Sequence, residues 1–240
     1  MGPSLRGLDT GLQLTPPQLW LVPPAGRVLA PVDGDAADAP HDALSPQERC
    51  WGAALPPLRR HQYWRSRLAM RLRLAAVLDL PPQQVPLHSP PGAPPQLPQG
   101  HGWVSLSHAA DALLIAWSPQ PVGVDLERGD RRFDARALMQ RFFPEAEQRQ
   151  LAGLGPEPLR RAVLRSWLCK EAAIKWRQRG LAQELGCWAL DHHCGLLRHG
   201  GEGLTVQPCE GLLAGWCWAA VGLGLEATGL APVIWSDSGV

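Results

Sequence analysis

The amino-acid sequence predicts a fold that mixes α-helices with β-strands, and two observations support this expectation. In the first half of the chain, two stretches with helical spacing lie between proline-rich segments. In the second half, runs typical of strands alternate with helical stretches. A chain of 240 residues is long enough to bury a substantial core, as one domain or as two smaller lobes.

The overall composition narrows the classes of partner. The formal net charge of +1 gives no indication of binding to nucleic acid or to an anionic membrane. No apolar run approaches the ~18 residues of a membrane span, and the N-terminus lacks the pattern of a secretory signal. The six cysteines form no CxxC pair, which favours reduced thiols. We therefore expect a cytoplasmic protein with neither nucleic acid nor membrane as a partner.

The first half combines proline-rich segments with two helices. Segments 15–26 and 80–100 are expected to be extended or turning because proline disfavours helix. The stretch LSPQERC predicts a short helix, with Ser45 as its N-cap and Glu48 three residues later. A longer helix is predicted over about 58–79. Its apolar positions at helical spacing are Leu68, Leu72, Ala75, Ala76 and Leu80.

The other faces of this longer helix carry six arginines, which allow two interpretations. Taken alone, such a run is more typical of a solvated face. The alternative is a phosphate-binding surface, because a guanidinium group binds phosphate oxygens through paired hydrogen bonds. The six are Arg59, Arg60, Arg65, Arg67, Arg71 and Arg73.

The second half has a clear order of elements. The runs WVSLSH and ALLIAWS predict a hairpin, and PQPVGVDLE predicts the next strand. Asp134 is placed to cap one helix, and Pro144 begins another. A long amphipathic helix follows and is predicted to end at Gly180. Further strands are predicted at about 185–190, 203–207 and 215–223.

The strand PVGVDLE carries two acids on one face. Asp125 and Glu127 are two residues apart, so their side chains project in the same direction. Like charges held this close repel each other unless a cation lies between them. The strand therefore predicts a cation site.

The predicted long helix places a third carboxylate on an otherwise apolar face. The side chains of this face are Leu164, Trp167, Leu168, Glu171, Ile174 and Lys175. A carboxylate among apolar groups is costly unless it is paired or bound to a metal. A Glu171–Lys175 pair is the alternative, although such pairs contribute only about 0.2–0.5 kcal/mol on an exposed helix. With Asp125 and Glu127, three oxygen donors favour magnesium or manganese over zinc.

A group of cysteines and histidines near the C-terminus does not predict a zinc site. Its spacing matches none of the usual paired ligand patterns. We interpret it as an ordinary strand-and-turn segment. Its members are Cys187, His192, His193, Cys194 and His199.

Two motifs together resemble a known paired signature. Gly123, Asp125 and Glu127 fill the pattern Gly-x-Asp-x-Glu. The pattern Trp-x-x-Lys-Glu-Ala-x-x-Lys is filled further along the chain by Trp167, Lys170, Glu171, Ala172 and Lys175. In this order, the two patterns resemble the signature of the Sfp-like 4'-phosphopantetheinyl transferases.

Other segments resemble the same family over most of the chain. They are the strand SLSH, the segment RFFPEAE, the helix LSPQER, and Arg67 and Arg71 of the arginine-rich helix. Two positions depart from the family pattern. Ala93 stands where lysine is common, and Gln62 stands where a basic residue is common.

The resemblance implies an α+β fold of two similar lobes related by pseudo-twofold symmetry, in a monomer with its active site in the cleft. The N-terminal lobe would span 1–120 and contact coenzyme A. The C-terminal lobe would span 121–240 and hold the metal site and the catalytic helix.

The resemblance also implies a reaction of the holo-[acyl-carrier-protein] synthase type. The enzyme would move 4'-phosphopantetheine from coenzyme A to a serine of an acyl, peptidyl or aryl carrier protein, and adenosine 3',5'-bisphosphate would leave. Asp125, Glu127 and Glu171 would hold Mg²⁺, for which Mn²⁺ could substitute. Glu171 could also accept the serine proton, and Lys175 would contact the pyrophosphate.

The remaining contacts to coenzyme A are implied by the same resemblance. Ser107 and His108 would bind the adenosine-side phosphate, with Arg67 and Arg60 nearby. For His108 taken alone, a structural histidine would be the simpler interpretation.

Two other functions use the same residues. A magnesium-dependent nucleotide phosphohydrolase would need an activated water in place of a carrier serine. A catalytically inactive carrier-binding module would not need the intact set of acids and Lys175.

The segment RGDRRFDARALMQRFF has two interpretations as well. Its arginines, with Leu138 or Met139 exposed beside them, could contact an acidic carrier protein. A solvated face without a partner is the alternative. The arginines are Arg131, Arg132, Arg136 and Arg141.

Overall fold

Six α-helices and three sheets build an α+β fold from residues 16–24 and 42–235, the part of the chain that the computed structural model describes. The helices are α1 (Pro46–Ala53), α2 (Pro57–Leu78), α3 (Ala135–Phe142), α4 (Glu145–Leu151), α5 (Pro156–Trp176) and α6 (Leu181–Glu184). The strands are β1 (Gln18–Val22), β2 (Trp103–Ala109), β3 (Ala112–Ser118), β4 (Gly123–Arg128), β5 (Trp188–Leu190), β6 (Leu197–His199), β7 (Thr205–Val206), β8 (Cys209–Leu213), β9 (Trp216–Val221) and β10 (Val233–Ile234). The predicted mixture of helices and strands is confirmed.

The predicted hairpin of β2 and β3 forms one end of the first sheet, whose strand order is β10–β1–β3–β2. Its register runs from Trp103 opposite Ser118 to Ala109 opposite Ala112. The second sheet has the order β4–β9–β8, and the third has the order β5–β6–β7. The sequence does not predict β6 or β8. The proline-rich segment 15–26 lies partly outside the described residues, and its described part contains β1.

The two larger sheets face each other, and each has a long helix on its other side. Side chains such as Leu114 of the first sheet and Leu126 of the second form the core between the sheets. Helix α2 packs through Met70 and Leu74 on the outer face of the first sheet. Helix α5 packs through Leu168 and its neighbours on the outer face of the second sheet and on the third sheet. The layers are therefore helix, sheet, sheet and helix.

Serine hydroxyls join the facing edges of the first two sheets. The Ser105 hydroxyl accepts a hydrogen bond from the Val124 amide (3.1 Å), and the Ser107 hydroxyl accepts one from the Leu126 amide (3.2 Å). These amides belong to edge strand β4, where they would otherwise be buried without a partner. The alternating serines of β2 thus hold β4 at a fixed position along it.

Helix α2 buries a different face from the predicted apolar stripe, which is a correction. Ala76 is exposed, and Leu68 and Leu72 are only half-buried. The buried positions are Tyr63, Ser66, Arg67, Ala69, Met70, Arg71 and Leu74. An arginine can lie on an inner face because its aliphatic stem packs with apolar groups while its guanidinium finds buried acceptors.

Two of the arginines of α2 are buried, and their guanidinium groups find different partners. Arg71 forms an ion pair with Glu48 at 2.5 Å, in which both side chains are at most 2 % exposed. Arg67 stacks over the Tyr63 ring at 4.2 Å and donates to the Ser89 carbonyl at 3.1 Å. The interpretation of the arginine run as a purely solvated face is therefore wrong.

The helix starts follow the predicted capping residues, but one helix end does not. Ser45 and Glu48 form a capping box at α1, and the Asp134 carboxylate caps α3 by accepting from the Ala137 amide. Helix α5 ends at Trp176, four residues before the predicted end at Gly180. Gln178 has a left-handed backbone with φ of 52°, which a continuing helix does not allow.

Two observations concern the expectations about membrane spans and cysteines. None of the described helices has the length and apolar character needed to cross a membrane. The six cysteines are free thiols.

Candidate active site

The close approach of β4 to α5 positions the predicted site. A Cβ atom at Gly123 would overlap the Ala172 carbonyl oxygen and the Trp176 amide nitrogen. Only glycine lets the strand lie this near the helix. Since Asp125 follows Gly123 by two residues, its side chain also points towards α5, where Glu171 and Lys175 lie.

Asp125 is the centre of the polar contacts. Its carboxylate accepts from the Lys175 ammonium at 2.6 Å and from the Ser107 hydroxyl at 2.7 Å. Its side chain is only 5 % exposed. Ser107 has a single hydroxyl proton, which it gives to Asp125, so in this arrangement Ser107 orients Asp125. Phosphate binding by Ser107 would require the hydroxyl to turn away and stays a prediction.

Glu171 and Glu127 complete the group of carboxylates. A Glu171 oxygen lies 3.9 Å from the Lys175 ammonium, and the Trp167 side chain lies close enough to favour the charged form of Glu171. Glu127 forms an ion pair with Arg131. The sequence predicts Arg131 in the carrier-contact segment and not in this site, because the turn after β4 that brings it to Glu127 has no signal in the spacing of the residues.

Burial and nearby negative charge raise the pKa values of Glu171 and Glu127. Burial, followed by the negative charges of Asp125 and Glu127, raises the pKa of Glu171 to about 7, against the opposing effect of Lys175. Burial and the charge of Asp125 also raise the pKa of Glu127, although Arg131 opposes them.

This group of carboxylates fits a divalent cation with a preference for oxygen ligands. The donors are carboxylate oxygens without histidine or cysteine, as magnesium and manganese prefer. Lys175 and Arg131 provide the positive charge in the protein itself. Asp125, Glu127 and Glu171 are therefore residues that could hold such an ion.

A group of basic side chains lies beside the carboxylates. His108 follows Ser107 on β2 and is exposed to solvent. The surrounding protein shields the imidazole partly from water, and this desolvation lowers the pKa of His108. The positive charges of Lys175 and Arg67 lower it further. Arg67, His108 and Lys175 come from α2, β2 and α5, and they are near enough to affect one another. This arrangement suits an anionic ligand that spans both halves of the chain.

Arg60 is placed differently from the other predicted residues. Its guanidinium donates to the carbonyl oxygens of Ala53 (3.3 Å) and Leu55 (3.2 Å), at the C-terminal end of α1. It also lies 5.8 Å from the centre of the Trp64 ring. The assignment of Arg60 to coenzyme A stays a prediction.

The expected carrier-contact segment needs one correction. Met139 is buried, at 4 % exposure, in a cluster with Val163 of α5, so it cannot contact a partner. Leu138 is half-buried, whereas Arg132, Arg136 and Arg141 are exposed. Met139 faces inward because α3 packs against α5 through that side.

A separate cleft lies next to this site, between α5 and the second sheet. It has a volume of about 810 Å³ and does not include the three predicted acids. Its arginines are paired with acids that line the same cleft, as Arg165 is with Glu210 and Arg160 with Glu157. These pairs leave little net charge to select a ligand, so we place the candidate site at the carboxylates and not here.

The histidines of the excluded zinc group have structural roles. The ligand atoms of Glu184, His199 and Glu202 lie within 4.8 Å of one another. However, His199 Nδ1 accepts from the amides of Gly201 (3.2 Å) and Glu202 (3.1 Å), so the ring proton is on Nε2. That Nε2 lies 3.2 Å from a Glu184 oxygen and donates to it. A metal on Nε2 would move the proton to Nδ1, against two amide donors.

Comparisons with known proteins identify the family of the chain. Residues 121–219, which contain β4 and α5, match the model of the 4'-phosphopantetheinyl transferase superfamily. A Synechocystis sp. protein, provisionally named 4'-phosphopantetheinyl transferase slr0495, is 31% identical over 174 residues, which cover 70% of this chain and 68% of that protein. The 4'-phosphopantetheinyl transferase HetI of Nostoc sp. is 34% identical over 80 residues, which cover 33% of this chain and 34% of HetI. The chain belongs to the 4'-phosphopantetheinyl transferase superfamily.

Proposed function

We propose that this protein transfers the 4'-phosphopantetheine group of coenzyme A to a serine of an acyl, peptidyl or aryl carrier protein and releases adenosine 3',5'-bisphosphate. The observation that carries the proposal is the position of the Lys175 ammonium, 2.6 Å from Asp125 and 3.9 Å from Glu171. Family membership supports the transferase reaction, and this geometry supports the assignment of roles.

The carboxylates have two roles in the proposed reaction. Asp125, Glu127 and Glu171 would hold Mg²⁺ or Mn²⁺, which when bound would offset the charge that develops on the pyrophosphate. Glu171 would also take the proton of the attacking serine, directly or through a water. A carboxylate within reach of the serine hydroxyl, directly or through one water, can act as a general base.

The basic side chains would bind the anionic part of coenzyme A. Lys175 would leave Asp125 and contact the pyrophosphate, because the divalent cation would then neutralise the carboxylates in place of the ammonium. His108 and Arg67 would bind the adenosine-side phosphate, with Arg60 at its periphery. Ser107 would keep Asp125 in the orientation needed to bind the cation.

We also propose that the chain forms the two related lobes of the Sfp-like branch. The layering supports this, because α2 covers the first sheet on one side as α5 covers the second sheet on the other. The proposed cleft lies where β2 and β4 meet.

Mass spectrometry of a carrier protein incubated with the enzyme, coenzyme A and Mg²⁺ tests the function. We expect a mass gain of one phosphopantetheine, and none for the same carrier with its acceptor serine replaced by alanine. Hydrolysis of coenzyme A without a change in carrier mass would favour a phosphohydrolase. Binding of the carrier with neither product would favour an inactive module. Parallel incubation with acyl, peptidyl and aryl carriers would identify the preferred class.

A further inference from the structure

A face of α5 next to the one that carries Glu171 contains a buried cation that the proposed reaction does not use. The Lys170 ammonium lies 2.7 Å from a carboxylate oxygen of Glu147 on α4, and both side chains are 0 % exposed. The same ammonium lies 3.5 Å from the centre of the Phe143 ring. The Lys170–Glu147 contact is an ion pair without the geometry of a well-directed hydrogen bond.

The residue before Phe143 supports a second side chain of α5. Phe142 packs edge-to-face on Trp167, with ring centres 5.9 Å apart. The Trp167 side chain in turn lies close to Glu171 and favours its charged form. Phe142 therefore contacts Trp167, four positions before Glu171, and Phe143 contacts Lys170, one position before it.

These contacts place the segment RFFPEAE against Lys170, the first lysine of the second motif. Consecutive residues of a helix project about 100° apart, so a side chain held on one face sets the direction of its neighbour. Lys170 is fully buried against α4, and this fixes Glu171 towards β4. A fully buried ammonium cannot reach a substrate phosphate without leaving its carboxylate partner.

We propose that Lys170, Glu147, Phe142 and Phe143 form a positioning unit that sets the orientation of Glu171, and that Lys170 makes no contact with coenzyme A. This inference rests on the proposed function, because it assigns Glu171 a role in the reaction. Lys170, the first lysine of the second motif, is then a positioning residue and not a substrate-binding residue.

A double-substitution cycle tests the proposal. Removing one member of a buried pair leaves an uncompensated charge, whereas replacing both by apolar side chains of similar size is often tolerated. The double variant leaves the 2.9 Å hydrogen bond between His192 and Ser166 in place, so each of these side chains keeps a hydrogen-bond partner. The variants are Lys170→Met, Glu147→Leu and the double variant Lys170→Met/Glu147→Leu. Glu145→Leu, at an exposed position of the same short helix, is the control.

We expect each single variant to melt at a lower temperature and to lose kcat by about tenfold or more, with the KM for coenzyme A within about twofold of wild type. Single variants that remain folded should also bind Mn²⁺ more weakly by titration calorimetry. The double variant should regain most of the lost melting temperature, kcat and Mn²⁺ affinity. The control should match wild type in all of these measurements.

Three results would overturn the proposal. A raised KM for coenzyme A that persists in the double variant would show that Lys170 contacts the substrate. Folded single variants with wild-type kcat and Mn²⁺ affinity would show that the pair does not position Glu171. A double variant that melts normally but stays tenfold slower would show that the Lys170 charge is itself needed. If wild type transferred nothing, the proposed function would fail, but melting and Mn²⁺ binding would still measure the coupling.

Discussion

Glu171 connects the charge of the site to the stability of the protein. In the metal-free folded state its pKa is about 7, whereas its ordinary value is 4.5. Between these pH values the folded state holds a proton that the unfolded chain has released. The contribution of Glu171 to the free energy of unfolding should therefore fall as pH rises from about 4.5 to about 7.

A bound cation should offset this loss, which gives a test by thermal melting. Above pH 7 Glu171 is ionised and repelled by Asp125 and Glu127, so Mg²⁺ has the most to stabilise there. We expect Mg²⁺ to raise the melting temperature more at about pH 8 than at about pH 5, relative to EDTA. Equal shifts at both pH values would place the cation elsewhere.

The Glu171→Gln variant separates chemistry from folding. It keeps the size of the side chain but removes one of three clustered negative charges. We expect a normal or slightly raised melting temperature without metal, and turnover lower by roughly 100-fold or more. Transfer kinetics and melting curves measure both quantities, with Glu145→Gln, at an exposed position of α4, as the control. Near-wild-type turnover would remove Glu171 from the mechanism.

His108 should matter for one substrate and not for the other. In the proposed complex its imidazole donates a hydrogen bond to a charged phosphate oxygen of coenzyme A. The loss of this bond in His108→Ala should cost about 1.5–3 kcal/mol. We expect the increase in KM for coenzyme A to exceed the increase for the carrier. Equal increases would indicate a structural histidine.

Among the elements, the contact between β4 and α5 positions the carboxylates most directly. Gly123 lies against the α5 backbone, which cannot yield as a flexible side chain can. We expect Gly123→Ala to destabilise the protein by about 1–3 kcal/mol, or more, and to lower turnover by moving Asp125 away from Glu171. Chemical denaturation and transfer kinetics measure these effects.

Gly153→Ala is the matched control for this substitution. A Cβ atom at Gly153 meets no atom within 4 Å, and its backbone is not left-handed. Its stability and turnover should stay close to wild type. If Gly123→Ala behaved in the same way, the close approach of strand and helix would not position the site.

For the whole molecule, the arrangement of exposed arginines bears on carrier binding. Arg131 is engaged with Glu127, so its reversal would also disturb the carboxylates. Arg132 and Arg136 are exposed on the same segment, and they test the surface without that complication. We expect Arg132→Glu/Arg136→Glu to slow association with an acidic carrier and to reduce its dependence on salt. Stopped-flow association at several ionic strengths measures this, and unchanged rates at low salt would favour a solvated face.

The fold brings the residues of the candidate site together from distant parts of the chain. Arg67 comes from α2, His108 from β2, Asp125 from β4, and Glu171 and Lys175 from α5. The end of the described chain also returns to the first sheet, where β10 pairs with β1. The layered arrangement, and not any single element, determines which side chains meet.

The sequence by itself determined the features that depend on near neighbours in the chain. Ser45 and Glu48 identified the start of α1, and the alternation of β4 placed Asp125 and Glu127 on one face. The two motifs were enough to predict the family. These signals are local because capping and strand alternation depend on residues only two or three positions apart.

Only the tertiary structure decided which faces became interior and how the charges interact. Arg71 lies inside because Glu48 of another helix neutralises it, and Met139 lies inside because α5 covers it. The pKa of Glu171 depends on Asp125, which is far away in sequence. Periodicity gives the relative directions of side chains along one element, but it carries no information about the element that packs on each face. Burial and electrostatic coupling depend on that second element, and so they are set only when the layers assemble.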